Sequence, residues 1–251
     1  MNDVEFFIAA NFPKVRQLKK SDKGEVWLAL NKAGEPVILK KINFIGLPYL
    51  KLKENPHPLW AKIFHVAEIE NQTIVVEEFI GGENLSERKF LTEIEARKFL
   101  LQMCDGLKFL HGLGIIHRDI KPSNLIVQAG KIIRLLDFDA ARIFKFDKDE
   151  DTKFLGTKGY APPEQFGFGQ TDFRSDIYSL GVTFQKLLGE NCGGNLKKIL
   201  SKCTELDPRR RFDSVEKLQR ALTSPPSIRK SKREKDLDDL TAFIISDLLD
   251  L

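Results

Sequence analysis

The segment His117-Arg118-Asp119-Ile120-Lys121-Pro122-Ser123-Asn124 puts a carboxylate, an ammonium and a carboxamide on one short stretch of chain. A single loop can aim Asp119 at an attacking hydroxyl and Asn124 at a metal ion, while Lys121 reaches a phosphate between them. Asp137 follows the strand-like run Ile132 to Leu136. A carboxylate at a strand end is well placed to hold Mg²⁺, which seeks oxygen ligands. Lys40 closes the apolar run Val37-Ile38-Leu39, and its neighbour Lys41 must point to the opposite face of a strand.

These groups need a scaffold, and the pattern of apolar residues supplies one in two styles. From residue 14 to residue 80 the signals are those of strands. Val26 to Leu30 and Val37 to Ile42 are β-prone runs with the turn Asn31-Lys32-Ala33-Gly34 between them. Ile63 to Ile69 and Thr73 to Ile80 repeat the style around the corner Asn71-Gln72, and Gly81-Gly82 ends it. Helical periodicity then takes over. Ala96, Phe99, Leu100, Met103, Leu107 and Leu110 recur at three- and four-residue spacing across Glu93 to Leu110. Ile177 to Leu188, Leu196 to Cys203 and Val215 to Leu222 are further helices, the last with Asp213 or Ser214 as cap. Strands first and helices later predict an α+β chain.

The motifs fall in an order that resembles the eukaryotic-type serine/threonine protein kinases. The segment 117–124 is similar to that family's catalytic loop, and Asp137-Phe138-Asp139 to its DFG. Residues 156–165, GTKGYAPPEQ, resemble the end of its activation segment, SDIYSLG (175–181) the helix that anchors the catalytic loop, and DPRRR (207–211) its late arginine motif. The resemblance covers about residues 14–222, and the run from Gly156 to Gly181 looks most like bacterial members. It implies a two-lobed protein-kinase fold, with a small antiparallel β N-lobe over 1–80 and a mainly helical C-lobe over 81–223.

The resemblance also implies roles. ATP and Mg²⁺ (or Mn²⁺) would bind in the cleft, near a hinge at Glu78-Phe79-Ile80. Asp119 would orient the hydroxyl of a protein substrate, Lys121 would hold the transferred phosphate, and Thr157 would bridge the two. Asn124 and Asp137 would hold metal, Lys40 the α- and β-phosphates, and Gly24, Val26, Glu78 and Ile80 the rest of the nucleotide. Asp176 would hold the catalytic-loop backbone and Arg211 would pair with Glu164. Lys121-Pro122 is the family's serine/threonine signature. Arg118 invites a phosphorylated partner, with Thr152 as the candidate.

Four departures stand out. Of the family's glycine loop, aligned to Lys19-Lys20-Ser21-Asp22-Lys23-Gly24, only Gly24 survives, so side chains should hold that loop away from phosphate or leave it a poorly ordered turn. Lysines there offer charge instead. Between Lys41 and Pro56, Gly46 and Pro48 break any long helix and Glu54 is the only acid, so the partner of Lys40 is not identifiable, and Asp137 stands in as a candidate. Asp139 replaces the DFG glycine. Gly189 to Asn195 reads as a loop where the family has a docking helix. These losses keep two alternatives open: a pseudokinase that binds nucleotide as a signalling scaffold, and a small-molecule phosphotransferase.

Composition sets outer bounds. The 251 residues are 42% hydrophobic and 30% charged, with a formal charge of +4, ordinary for a globular chain and too small a charge to make a strong case for nucleic acid. Cys104, Cys192 and Cys203 are scattered without Cys-x-x-Cys spacing, which argues against a disulfide framework or zinc site and for a reducing, cytoplasmic setting. The N-terminal residues lack the basic n-region of a signal peptide, and no run approaches a membrane span. Residues 224–235 read as a basic linker containing Ser224, Ser227 and Ser231, which with Thr223 are candidate autophosphorylation sites. Residues 236–251 read as an acidic amphipathic helix that docks on a regulator or on the chain's own lobes.

Overall fold

β-branched and aliphatic residues in alternation build the N-terminal half as a sheet. The computed structural model describes residues 11–12, 14–45, 48–69, 71–144, 156–167 and 169–224. Thr152, Ser227, Ser231, the linker beyond Ser224 and the expected tail helix lie outside the described residues. Strands β1 (Lys14–Ser21), β2 (Gly24–Leu30), β3 (Pro36–Ile42), β4 (Ile63–Ile69) and β5 (Gln72–Glu78) form one antiparallel sheet in the order β1-β2-β3-β5-β4. Strand alternation gives the sheet two apolar faces. Val37, Leu39, Ile74 and Val76 pack with Phe12 and Ala29 on one side. Ile42 and Val75 join the main core on the other, together with Tyr49 and Leu52 of the short helix α1 (Tyr49–Glu54).

The expected α+β order holds. After the two-residue strand β6 (Glu83–Asn84) comes helix α2 (Glu93–Gly112). Thr92 and Glu95 form a reciprocal capping box at its start. All six of its predicted core positions are buried. The strands β7 (Ile115–Ile116), β8 (Leu125–Gln128), β9 (Ile132–Leu135) and β10 (Arg142–Ile143) follow. Helix α3 (Phe173–Leu188), capped by Asp172, is buried around most of its circumference. Helices α4 (Gly194–Cys203) and α5 (Val215–Thr223) complete the helical region, and Ser214 caps the last. Between α3 and α4 the chain makes a short 3₁₀ turn at Gly189–Asn191, and α4 begins at Gly194, earlier than the loop expected through Asn195. Cys104 and Cys203 are buried free thiols, and burial pushes both up, Cys203 to about 12.

The degraded glycine loop is neither open nor loose. β1 runs to Ser21, which pairs with Gly24, leaving Asp22-Lys23 as a two-residue turn. Asn43 ties the turn to the end of β3 through its backbone N–H to Lys23 O (2.9 Å) and its amide to Asp22 O (3.0 Å). Gly24 survives for a backbone reason. Its φ is +146°, and a Cβ there would lie 2.1 Å from the Lys41 carbonyl oxygen on the paired strand β3. We therefore expect Gly24→Ala to cost about 1–3 kcal/mol in urea denaturation, from strained backbone and contact with a fixed carbonyl. Gly112→Ala, which meets nothing within 4 Å, is the control and should stay within about 1 kcal/mol of wild type.

Candidate active site

Helix α3 holds the loop of residues 117–124 in place. Asp176, fully buried near its start, accepts the backbone N–H of His117 (2.9 Å) and of Arg118 (2.8 Å), and lies 2.8 Å from His111 Nε2 of α2. Burial alone would raise its carboxyl, but the hydrogen bond with His111 and those backbone donors hold it below the usual range. His117 stacks edge-on against Phe138 at 4.7 Å and reaches Leu136 O at 3.2 Å, and burial holds its imidazole below its ordinary value. Arg118 takes the left-handed conformation, φ 68°. Its carbonyl accepts from Gln165 (2.9 Å).

The loop brings its polar groups together. Lys121 Nζ donates to Asp119 Oδ2 (2.6 Å) and to Thr157 Oγ1 (2.7 Å), and Thr157 donates to Asp119 Oδ1 (2.7 Å). Asn124 donates its amide to Asp119 O (2.9 Å) and Oδ2 (3.2 Å), which leaves its Oδ1 as an acceptor. Asn124 O accepts the N–H of Leu136 (2.8 Å), so the loop and the segment carrying Asp137 are joined next to both residues. Thr157 is positioned by the segment 156–165, whose Glu164 forms a bidentate, buried ion pair with Arg211 (2.6 and 3.0 Å) and accepts from Ser175 of α3 (2.9 Å). Arg211 also donates to the carbonyls of Glu205, Leu206 and Arg174, so both charges are satisfied.

Lys40 has the partner that the sequence did not reveal, and it is neither Glu54 nor a direct pairing with Asp137. Glu54 is exposed at the end of α1. Lys40 Nζ lies 3.0 Å from Glu77 Oε1, 3.8 Å from Asp139 Oδ1 and 3.3 Å from the Tyr49 hydroxyl, which donates to Asp139 at 2.6 Å. Register explains the pairing. Lys40 faces Val75 across the β3–β5 ladder, so Glu77, two residues on, is its diagonal neighbour on the same face of the sheet. Tyr49 stands where the broken helix α1 begins. Only 5% of Lys40 is exposed. Burial disfavours its charge, yet Glu77, Tyr49, Asp139 and Asp137 hold the ammonium protonated well above the ordinary lysine value. Burial likewise raises Asp139, with the neighbouring Asp137 adding to it, to about 6. For Asp137 the charge of Lys40 and the Asp139 hydrogen bonds outweigh burial and hold it at about 2. Two adjacent acids, Glu77 and Glu78, interrupting the otherwise apolar run from Ile74 to Ile80 were the available signal, but the sequence did not say which of them faces Lys40.

Two recesses meet at Lys121 and Thr157, the two side chains that bond Asp119. A cleft of about 80 Å³ is walled by Lys19, Lys23, Gly24, Glu25, Val26 and Lys41 above and by Asp119, Asp137, Asp139, Lys121 and Thr157 below. A larger recess of about 380 Å³ shares Lys121 and Thr157 with it. Of the residues expected to touch nucleotide, Gly24 and Val26 line the cleft, and Lys40 lies behind its wall. Glu78 instead bonds Arg134 (2.8 Å) and Lys62 N (3.1 Å), and Ile80 is buried. Among the described residues no three His, Cys, Asp or Glu side chains converge as a self-sufficient metal cage. Carboxylates beside lysines nonetheless suit Mg²⁺, which commonly takes one or two carboxylates and completes its shell with phosphate oxygens and water.

This fold and this loop define a protein kinase domain. The model of that family, described as "Protein kinase domain", matches residues 48–192, more than half of the chain, and the chain belongs to the family. Relatives include 3-phosphoinositide-dependent protein kinase 1 of Arabidopsis thaliana, 29% identical over 74% of this chain and 42% of its own length. Serine/threonine-protein kinase D of Synechocystis is 29% identical over 65% and 38%, and mitogen-activated protein kinase kinase 7 of Arabidopsis thaliana 29% identical over 71% and 64%. The chain thus spans less than two thirds of the length of each. Among the described residues, no helix is long and apolar enough to cross a membrane.

The buried Lys40 cluster generates a stability prediction. Glu77→Ala strands the ammonium beside fewer counter-charges, and breaking a buried pair in this way costs about 3–5 kcal/mol. Lys40→Met combined with Glu77→Leu should recover most of that loss, because two apolar groups remove both desolvation penalties. Urea denaturation of Lys40→Met, Glu77→Leu and the double variant reads the coupling.

Proposed function

We propose that the chain is an active serine/threonine kinase that transfers the γ-phosphate of ATP to protein hydroxyls. The observation that carries this reading is the closed triangle Asp119–Lys121–Thr157, set where the two recesses meet. A donor nucleotide in the smaller cleft and an acceptor hydroxyl in the larger recess would face each other across these side chains. Asp119 accepts from Lys121 and Thr157 and so is held with a carboxylate oxygen available to orient the hydroxyl and receive its proton. Lys121 balances the charge on Asp119 and offers its ammonium to the phosphate in transfer. Asn124 Oδ1 and Asp137, which stays ionised, would hold Mg²⁺. Bound Mg²⁺ supplies charge neutralisation on the phosphate oxygens. Lys19, Lys23 and Lys41 bring cations to the cleft roof, where glycine backbone would otherwise approach. Lys121-Pro122 and the named serine/threonine kinase relative support a hydroxyl of that class.

One observation favours a second reading, a nucleotide-binding scaffold without transfer. Lys40 is committed to Glu77, Tyr49 and Asp139 inside the protein, so its ammonium is not free for phosphates until that cluster loosens. Autophosphorylation and generic protein-substrate assays with ATP and Mg²⁺ separate the two. Wild type should incorporate phosphate on serine or threonine, while Asp119→Ala and Asp137→Ala should each lose about 10²-fold or more. Wild type as silent as both variants at saturating ATP would leave the scaffold reading in place.

A further inference from the structure

The larger recess has a charge character that the transfer chemistry does not require. Four cations line it, Arg88, Lys89, Lys121 and Lys186, and no carboxylate stands on its described walls. Two of the four are committed. Lys121 serves Asp119, and Arg88 is paired with Glu83 (3.1 Å) and Glu95 (2.9 Å). Lys89 and Lys186 have no carboxylate within ion-pair distance among the described residues. Lys186 is nevertheless fixed. Its ammonium lies 3.9 Å over the Tyr160 ring and donates to Gly159 O at 2.9 Å, so α3 and the segment carrying Thr157 hold it together. That geometry spends one of three N–H donors and leaves two for a ligand. Lys89 rests 5.9 Å over the Phe90 ring. Leu85, Pro122 and Leu187 give the recess an apolar base between these charges.

We propose that this recess selects an acidic acceptor segment, with Asp or Glu side chains flanking the phosphorylated hydroxyl and held by Lys186 and Lys89. Ammonium groups with no carboxylate partner among the described residues attract carboxylates and repel arginine- or lysine-rich peptides, and at Lys186, already held in place, little side-chain ordering remains to oppose binding. The inference deepens the kinase reading and rests on it for the identity of the acceptor.

The experiment separates the two. Fluorescein-labelled serine peptides flanked by Glu, by Lys or by Ala are titrated with the full chain in fluorescence anisotropy, and initial rates of phosphate transfer to the same peptides are measured with ATP and Mg²⁺. The Glu-flanked peptide should bind about five- to ten-fold more tightly than the Lys-flanked one at low salt, and the difference should shrink as salt rises. Lys186→Glu and Lys89→Glu should each reduce or invert that preference. Lys89→Glu, at an exposed position, should leave thermal melting unchanged. Lys186→Gln, which removes the charge and can still donate to Gly159 O, should abolish the Lys186 part of the preference with melting close to wild type. Lys32→Glu, in the β2–β3 turn, controls for net charge and should leave the preference intact. Acid-selective binding without transfer to any peptide would overturn the kinase reading and keep the selectivity. Equal binding of all three peptides, or a preference indifferent to both charge inversions, overturns the selectivity even if transfer proceeds.

Discussion

The buried carboxylate of Asp176 is the constraint on which the site depends. A charge removed from water is tolerable only when donors surround it, and here the donors are the N–H groups of His117 and Arg118 together with His111. Satisfying Asp176 therefore dictates the backbone path of the loop, including the left-handed turn at Arg118. Asp119 and Lys121 emerge from that path next to Thr157. The same helix carries Ser175, which together with Arg211 secures Glu164 and so the segment that presents Thr157. One largely buried helix thus fixes both halves of the Asp119–Lys121–Thr157 triangle.

The sheet half of the site solves a different electrostatic problem. A fully desolvated lysine needs a carboxylate, and the short helix α1, which begins only after Pro48, offers just the exposed Glu54 at its far end. Strand β5 supplies Glu77 instead, from a diagonal position across the ladder, while Tyr49 and Asp139 close the cluster. The replacement of glycine by Asp139 is in this light part of a rewired ion-pair network. It adds a carboxylate to the cleft floor beside Asp119 and Asp137. Lys19, Lys23 and Lys41 outnumber Glu25 on the opposite wall, so the cleft sets a mainly cationic roof over that acidic floor.

Much of this was legible in the chain itself, because it depends on local rules. Four of the five long strands and the four longer helices follow from alternation and three- or four-residue spacing. The spacing of Asp119, Lys121 and Asn124, the pairing of Arg211 with Glu164 and the grip of Asp176 on the loop followed from ordered motifs. What escaped is what depends on neighbours distant in sequence. Glu77 was one of two adjacent acids in a strand, and only strand register shows which faces Lys40. The survival of Gly24 looked like a remnant of phosphate binding, whereas a carbonyl on the next strand requires it. The beginning of α4 at Gly194 was also invisible, since glycine alone carries no helical signal.

The sequence by itself determined the order of elements and the chemistry-bearing loop, since periodicity and short-range spacing are written within a few residues. Only the tertiary structure decided which carboxylate neutralises Lys40 and which lysines of the larger recess have no carboxylate within ion-pair distance among the described residues. Both follow from strand register and from the packing of α3 against the segment 156–165, and electrostatic partnership is set by distance in space across elements that the chain orders far apart.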